Sequence, residues 1–295
     1  MGYIRVGNNL NKFIVLTKLF FMKNYYVFTN YTVVLVLILL TTCFESFSQN
    51  FDEVILRLKK ETPGEISDFD IVDFNGNGLK DVVFLSGSSG FNNPKISYYE
   101  NLGNNNFKYK LIIEKDSNSN LNFDNEGFIR VADLNNNGLK DIITSGVNGF
   151  SVFKNQGDGS YIEQTIGTSQ ASYIFGDIKL VDLNNNGLLD ILIRRTSNSS
   201  TIVSTLYYIN DGNWNFFSNS INYALDSIDV VDYNNNGLPD ILGIFNGNIM
   251  LFENNNNDTF NASYLIQSFN LDFCFNSIRT EDLNNDGMAD ILLYP

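Results

Sequence analysis

The chain has 295 residues, and its 43% hydrophobic and 14% aromatic content is enough for a packed core. Its formal net charge of −14 leaves no basic surface for nucleic-acid phosphates. The absence of histidine excludes histidine-dependent nucleophiles and histidine-ligated zinc. The 25 Phe and 15 Tyr residues, against only 4 Pro, favour β structure.

The first predicted element is an export leader. Residues 24–44 carry no charge, Lys23 precedes them, and the small-residue pattern Ser46-Phe47-Ser48 follows. This order of basic, apolar and small residues predicts a signal peptide over residues 22–48, cleaved near Ser48–Gln49. The alternative is an uncleaved anchor, since about 20 uncharged residues can span a bilayer. In both cases we expect the remainder of the chain outside the cytoplasm.

Two segments flank this leader. Met22 is a more natural start than the first methionine, because Lys23 then follows the initiator directly. Residues 1–21 are therefore interpreted as a mis-assigned upstream start. Residues 49–65 are expected to form a linker that contains one strand, Phe51–Leu58.

The rest of the chain, residues 66–295, is organised around the nine-residue pattern D-x-N-x-[ND]-G-x-x-D. The pattern occurs five times at spacings of 60, 49, 50 and 50 residues, so it marks a unit duplicated along the chain. Its copies are "DFNGNGLKD" from Asp73, "DLNNNGLKD" from Asp133, "DLNNNGLLD" from Asp182, "DYNNNGLPD" from Asp232 and "DLNNDGMAD" from Asp282. We refer to these copies as loops 1 to 5, and to their residues as positions one to nine.

Each loop lies between two short apolar runs. "IRVAD" leads into loop 2 and "IITSG" follows it, and such runs bounded by Asn and Gly are typical of strands. In the first four units an Asn follows an aromatic strand and precedes another aromatic residue by six positions, which predicts a second hairpin. These pairs are Asn101 and Phe107, Asn155 and Tyr161, Asn210 and Phe216, and Asn254 and Phe260.

Four strands in about 50 residues, repeated along the chain, predict an all-β fold. The expected architecture is a β-propeller of four-stranded blades with the nine-residue loop between strands 1 and 2 of each blade. The five repeat units cover about residues 66–114, 127–168, 175–222, 226–268 and 275–295, and the last unit is incomplete. Phe51–Leu58 is a candidate for one of its missing strands, which still leaves at least one missing. The chain is then either a fragment of a longer protein or a five-unit array that closes imperfectly.

The residue types of the loops fit a calcium ion, which takes six to eight oxygen ligands in a flexible shell. Positions one, three, five and nine would supply side-chain oxygens, and position seven a backbone carbonyl. Gly at position six lets the chain turn back. The predicted ligands are Asp73, Asn75, Asn77, Leu79, Asp81, Asp133, Asn135, Asn137, Leu139, Asp141, Asp182, Asn184, Asn186, Leu188, Asp190, Asp232, Asn234, Asn236, Leu238, Asp240, Asp282, Asn284, Asp286, Met288 and Asp290.

The alternative is a polar hairpin turn without a metal, because Asn and Asp before Gly form such turns on their own. Aspartate at both positions one and nine in all five copies favours the metal. Loop 5 has three carboxylates and is expected to bind most tightly, whereas the others are expected in the roughly 10⁻⁴–10⁻³ M range of extracellular modules. Five bound calcium ions would reduce the net charge of −17 that residues 49–295 carry to about −7.

The loops, their flanking strands and the later hairpin resemble the FG-GAP or VCBS-like repeats of secreted bacterial proteins, and the loops are similar to those of integrin α-chain propellers. The resemblance covers about residues 66–295. It implies a β-propeller with calcium held between the first and second strands of each blade. The chain departs from the family pattern in having Asn at positions three and five, where Asp is more usual.

These features predict a secreted or cell-surface calcium-binding protein that acts as a non-catalytic interaction or adhesion module. The expected partner is an extracellular protein or a glycan, with no role for nucleic acid, and a membrane only if the leader stays uncleaved. No catalytic motif is present, so no enzymatic activity is expected. The alternative is the non-catalytic propeller portion of a larger secreted enzyme, for example one acting on polysaccharides, truncated at residue 295.

Overall fold

The computed structural model describes residues 2–5, 13–16, 65–88, 92–104, 106–115, 127–146, 149–168, 173–197, 202–256, 258–261, 264–268 and 277–294. The chain divides into two compact units, Met1–Leu16 with Leu58–Pro295, and Thr17–Arg57. The second unit, the predicted signal peptide and the predicted strand Phe51–Leu58 lie outside the described residues. No helix long and apolar enough to cross a membrane occurs in the described part of the chain.

The described residues form five four-stranded antiparallel sheets, which confirms the predicted propeller architecture. The first two strands along the chain are β1 (Gly2–Arg5) and β2 (Phe13–Leu16). Blade 1 contains β3 (Glu65–Val72), β4 (Asp81–Ser88), β5 (Asn92–Asn101) and β6 (Phe107–Glu114). Blade 2 contains β7 (Phe128–Ala132), β8 (Asp141–Gly146), β9 (Gly149–Asn155) and β10 (Tyr161–Thr168).

The remaining strands follow the same order. Blade 3 contains β11 (Tyr173–Val181), β12 (Asp190–Ser197), β13 (Ile202–Asn210) and β14 (Phe216–Ile221). Blade 4 contains β15 (Ser227–Val231), β16 (Asp240–Phe245), β17 (Asn248–Phe252) and β18 (Tyr264–Ser268). Blade 5 begins with β19 (Ser277–Glu281) and β20 (Asp290–Tyr294).

Blade 5 is completed by the amino-terminal strands. Its strand order is β19-β20-β1-β2, and β1 pairs antiparallel with β20 through Tyr3 opposite Leu293 and Ile4 opposite Leu292. The repeat pattern indicates only two strands for the fifth unit, those on either side of loop 5. In the structure the third and fourth come from residues 2–16, part of the stretch interpreted from the sequence as an upstream start. The domain boundaries themselves remain predictions.

The position of a strand within its blade determines its burial. The second strand β16 is buried at five of its six residues, and its sequence "DILGIF" is a nearly continuous apolar run. A strand covered on both faces reads this way, without polar alternation. The fourth strand β14 exposes four of its six residues, because it lies at the edge of its blade. The blades therefore bury their inner strands against one another.

Among the described residues the hydrophobic core consists of four clusters, one between each pair of successive blades. Each cluster combines equivalent residues of the repeat. The earlier blade contributes the residue ten positions after position one of its loop. The later blade contributes the residues four positions before and nine positions after its own position one. Between blades 1 and 2 these are Val83, Ile129 and Ile142, all fully buried.

Charged side chains also link the first strands of neighbouring blades. Arg130 of β7 donates from Nη1 to Asp68 Oδ2 of blade 1 at 2.7 Å and from Nη2 to Asp177 Oδ1 of blade 3 at 3.2 Å. Its Nε also donates to the carbonyl oxygen of Ile178 at 3.1 Å. Lys179 of blade 3 pairs with Asp229 of blade 4 at 3.1 Å. One basic residue can therefore join three consecutive blades.

Candidate metal centre

The five loops lie where the sequence predicts them, between the first and second strands of each blade. Position one follows the last residue of the first strand, and position nine is the first residue of the second strand. In loop 2, β7 ends at Ala132, Asp133 follows, and β8 begins at Asp141. The two aspartates of a loop are thus fixed by two paired strands.

The aspartate at position one caps its own loop. In loop 2, Asp133 Oδ1 accepts the backbone N–H of Asn137 at 3.0 Å, and Oδ2 accepts that of Gly138 at 2.7 Å. The same two bonds occur in the other four loops. Short side chains that bond to backbone N–H groups a few residues ahead stabilise tight turns. Position one is therefore a turn-forming residue whether or not a metal binds.

The residues at positions three and five direct their side-chain oxygens to the loop backbone. In loop 3, Asn184 Oδ1 accepts the N–H of Asn186 at 3.2 Å, and Asn186 Oδ1 accepts that of Leu188 at 2.8 Å. Their amide nitrogens bond elsewhere, to Asp258 Oδ1 at 3.1 Å and to the carbonyl oxygen of Asn210 at 3.0 Å. Asn184 Oδ1 and Asp182 Oδ1 thus accept the same N–H group, that of Asn186.

Position four carries a role that the sequence pattern did not reveal. Its residue has a positive φ in every loop, +56° at Asn136 for example, and it is Gly in loop 1 and Asn in the others. Only Gly, Asn and Asp adopt this conformation readily. Asn136 Nδ2 donates to the carbonyl oxygen of Gly187, and Asn185 Nδ2 to that of Gly237, both at 2.8 Å. These bonds connect loop 2 to loop 3 and loop 3 to loop 4.

The aspartate at position nine is buried in all five loops. In loop 2, Asp141 Oδ2 accepts the N–H of Leu134 at position two, and Oδ1 accepts that of Asn155 from the later hairpin, at 3.1 and 2.9 Å. Equivalent bonds from position two occur in every loop, and from the hairpin Asn in blades 1 to 4. Position nine therefore holds the loop and the third strand together.

Burial makes this carboxylate costly to ionise. It raises the pKa of Asp141 and Asp240 from the ordinary value of an aspartate and that of Asp190 to about 6, against the effect of the two N–H bonds. The carboxylate of position one adds to the shift at all three residues by repulsion. A cation between positions one and nine would favour the ionised form of both carboxylates.

The hairpin asparagines, found in the sequence as markers of a turn, are structural connectors. Asn210 is only 1% exposed, and its Nδ2 donates to the carbonyl oxygens of Leu189 in its own loop and Leu134 in blade 2, at 3.0 and 2.7 Å. Asn254 makes the same pair of bonds, to Pro239 and Leu183. In blades 3 and 4 one amide group therefore ties the third strand to two successive loops.

The loops also define the family. A family model described as an FG-GAP-like repeat matches residues 73–144, 133–193, 182–243 and 232–293. Each matched segment begins at position one of a loop and ends inside the second strand of the next blade. The chain belongs to the FG-GAP-like repeat family. The predicted resemblance is thereby confirmed for about three quarters of the chain, whereas no curated protein sequence matches it.

A comparison with solved structures finds the fold of this FG-GAP repeat protein in a lectin. A lectin from Agrocybe aegerita that recognises non-reducing terminal N-acetylglucosamine superposes with a TM-score of 0.55 at 20% identity, over 76% of this chain and 59% of the lectin. The V. cholerae biofilm matrix protein Bap1 superposes with a TM-score of 0.44 at 19% identity, over 79% of this chain and 35% of Bap1. The FG-GAP chain thus spans less than two thirds of either protein.

The carboxylate and amide oxygens of the FG-GAP loops suit a hard cation that binds neutral as well as charged oxygen ligands. An amide or carboxylate oxygen that accepts one N–H keeps a second lone pair, and calcium takes such oxygens. Carboxylates alone do not form the site, since no group of three or more Asp, Glu, His or Cys side chains in the described ranges could hold a metal. A cation in these loops would therefore also need the amide oxygens of positions three and five.

Loop 5 differs from loop 3 in the direction of one amide. Asn284 Nδ2 donates to Asp286 Oδ2 at 3.0 Å, across positions three and five. The carboxylates of Asp282, Asp286 and Asp290 do not come together as a three-carboxylate group in the described residues. The expectation that loop 5 binds most tightly therefore depends on its charge. All 25 predicted ligands, including the carbonyls of position seven, stay predictions.

Proposed function

We propose that this FG-GAP repeat protein is an extracellular, calcium-binding β-propeller that acts as a non-catalytic interaction module. The observation that carries the calcium proposal is the repeated orientation of side-chain oxygens at positions one, three and five. In each loop these oxygens accept backbone N–H groups of the same turn, so they are already ordered before an ion arrives. Preorganised ligands reduce the entropy that binding must offset.

Calcium would act chiefly on stability. The loops contain ten aspartates at positions one and nine, and a chain with net charge −14 repels itself when it folds compactly. An ion that binds only the folded state stabilises it by RT ln(1 + [L]/Kd), or about 1.4 kcal/mol per site at ten times Kd. Several weak sites can therefore add up to a large share of the stability of a domain, which is roughly 5–15 kcal/mol.

The hydrogen bonds of the loop aspartates support a non-catalytic interaction role. The position-one and position-nine aspartates accept backbone N–H groups within the loops, and the chain contains no histidine for acid–base chemistry. We therefore propose that the protein has no enzymatic activity. Glycans are the partner class to test first because the fold is shared with a lectin, and an extracellular protein is the second. Membership of the FG-GAP-like repeat family supports an extracellular location.

The test is thermal unfolding of the full chain with calcium, with magnesium and with a chelator. Calcium is expected to raise the melting temperature by several degrees, since each 1 kcal/mol shifts Tm by roughly 2–4 °C in a protein of 150–250 residues. Magnesium should do less, because it demands near-ideal octahedral geometry and gives up its waters reluctantly. Equal melting temperatures in calcium and chelator would contradict the calcium proposal.

A further inference from the structure

A cavity lies between blades 3 and 4, two consecutive blades in the middle of the array. Its volume is about 400 Å³, within the range of roughly 300–1,000 Å³ that is usual for small-ligand sites. Its described lining comes from the outer part of blade 3, the segment that follows β14, and the hairpin between β17 and β18. We call this cavity the blade 3–4 pocket.

Four aromatic rings form the apolar part of the pocket. Tyr207 and Phe252 are buried, and Tyr223 and Phe260 are half-buried. The rings form two edge-to-face pairs, Tyr207 with Phe260 at 5.2 Å between centroids and Tyr223 with Phe252 at 5.4 Å. Tyr207 Oη also donates to the carbonyl oxygen of Asp258 at 2.9 Å. These contacts fix the orientation of the rings, so the apolar surface is preformed.

Uncharged polar groups surround these rings. The side chains of Asn219, Asn222 and Asn261 are exposed, and within the described residues none of the three amides forms a hydrogen bond. A side-chain amide both donates and accepts, so it can pair with a hydroxyl group in either direction. The described lining contains no Asp, Glu, Lys or Arg, although the chain has 33 acidic and 19 basic residues. The pocket therefore suits a neutral, hydroxyl-rich ligand with an apolar face.

The equivalent place between blades 2 and 3 is occupied by the protein itself. Counted from the hairpin Asn, Gln164 is the counterpart of Asn219, and its Nε2 donates to the carbonyl oxygen of Trp214 at 2.8 Å. The Trp214 ring packs against the core cluster between these blades, with Lys154 Nζ 4.7 Å from its centroid. Blade 4 has the smaller, exposed Asp258 at the place of Trp214. With no large ring at this place, the blade 3–4 pocket stays open.

We propose that the blade 3–4 pocket binds one neutral pyranose ring of a glycan. The apolar C–H face of the sugar lies against Tyr223 and Phe260, and its hydroxyl groups bond to the three asparagine amides. Because one water takes about 30 Å³ in the liquid, the cavity has room for roughly a dozen waters, and a hexose has about as many non-hydrogen atoms. The inference rests on the proposed interaction with glycans and gives that interaction a site, separate from the calcium loops.

The experiment is saturation-transfer NMR of the full chain with the methyl glycosides of glucose, galactose, mannose and N-acetylglucosamine. At least one of these neutral sugars is expected to bind with a dissociation constant on the order of 1 mM, since a single ring makes few contacts. The matching uronic acid is the charged control. Its carboxylate would meet no cation in the described lining, so it should bind about tenfold more weakly or not at all.

Three variants test whether the pocket is the site. Tyr223→Ala removes a ring from the apolar surface and should weaken binding about tenfold or more. Asn222→Ala removes an exposed amide and should weaken it by roughly two- to tenfold. Phe217→Ala is the matched control, because Phe217 is 59% exposed on β14 and does not line the pocket, so binding should stay unchanged. Circular dichroism checks folding, and Asn222→Ala decides the outcome if Tyr223→Ala unfolds.

The possible failures separate the pocket from the proposed function. A sugar that binds wild type, Tyr223→Ala and Asn222→Ala equally well would overturn the pocket but leave the glycan interaction standing, because that sugar then binds elsewhere. A uronic acid that binds as tightly as its neutral parent would overturn the assignment of a neutral ligand. If none of the glycosides binds even at tens of millimolar, the pocket proposal is wrong, whereas the calcium proposal is judged separately by thermal unfolding.

Discussion

The exposed beginning and the buried end of each loop carry the same residue type in different surroundings. Asp133 at position one is bonded to N–H groups of a solvent-exposed turn, whereas Asp141 at position nine is fully buried and bonded to two separate segments. Water can replace lost bonds at the first site but not at the second. One motif therefore combines a candidate ion site at position one with an anchor for the blade at position nine.

The largest expected effect comes from removing the buried carboxylate at position nine. Asp141→Ala leaves the N–H groups of Leu134 and Asn155 without an acceptor in a buried place. Each such group costs about 1–3 kcal/mol, so the free energy of unfolding should fall by roughly 2–5 kcal/mol. Urea denaturation with calcium and with chelator measures it, and most of the loss should appear in both.

Asp133→Ala serves as the control for that variant. Its N–H partners are exposed and can bond to water, so the free energy of unfolding in chelator should fall by only about 1 kcal/mol or less. With calcium present, Asp133→Ala should lower the free energy of unfolding by a further amount, and this further loss should exceed the loss measured in chelator. If Asp133→Ala and Asp141→Ala behaved alike in chelator, the division of the loop into two parts would be wrong.

A smaller effect is expected at the hairpin asparagines. Asn210→Ala removes bonds to Leu189 and Leu134 in a buried site, and we expect a loss of about 2–3 kcal/mol in unfolding free energy. Within the described residues, the Nδ2 group of Asn101 donates to the carbonyl oxygen of Lys80 in its own loop and to no second loop, and Asn101 is half-buried. Asn101→Ala should therefore cost about half as much. Chemical denaturation of both variants would detect the difference, and equal losses would argue against an inter-blade role for Asn210.

The smallest effect concerns the exposed half of loop 4. Asn236→Asp adds a carboxylate at position five, next to Asp232, and calcium affinity depends on the number of charged ligands. We expect roughly tenfold tighter calcium binding at this loop, measured by isothermal titration calorimetry. Asn235→Asp makes the same charge change at position four, whose positive φ Asp also tolerates. A similar gain in Asn235→Asp would show that general charge, not ligation, is responsible.

Much of the fold could be predicted because the residues that mark its turns lie close together in sequence within each repeat. Gly at position six, Asp at positions one and nine, and the Asn–aromatic pair six residues apart all mark turns, and four of the five second hairpins follow from them. The two strands that complete blade 5 could not be predicted, since β1 and β20 pair across nearly the whole chain. Nothing in residues 2–16 indicates that partner.

The residue types of the candidate site could be predicted, but the different structural role of each position could not. The spacing of Asp133 and Asp141 indicates two carboxylates near one turn, but only the fold shows that Asp141 faces Asn155. Position four, the second Asn of "NNNG", is likewise the same residue type as its neighbours at positions three and five. Its positive φ and its bond to the next loop arise from backbone geometry and from a residue about 50 positions away.

Equilibrium dialysis of the full chain against radioactive calcium is the sharpest test of calcium binding by the loops, because it counts ions. We expect up to five calcium ions per chain, with millimolar to submillimolar affinity, and one fewer in Asp133→Ala. Magnesium at the same concentration should displace little of the bound calcium. A chain that binds no calcium at millimolar concentrations would contradict the claim, and the loops would then be turns that stabilise the blades without a metal.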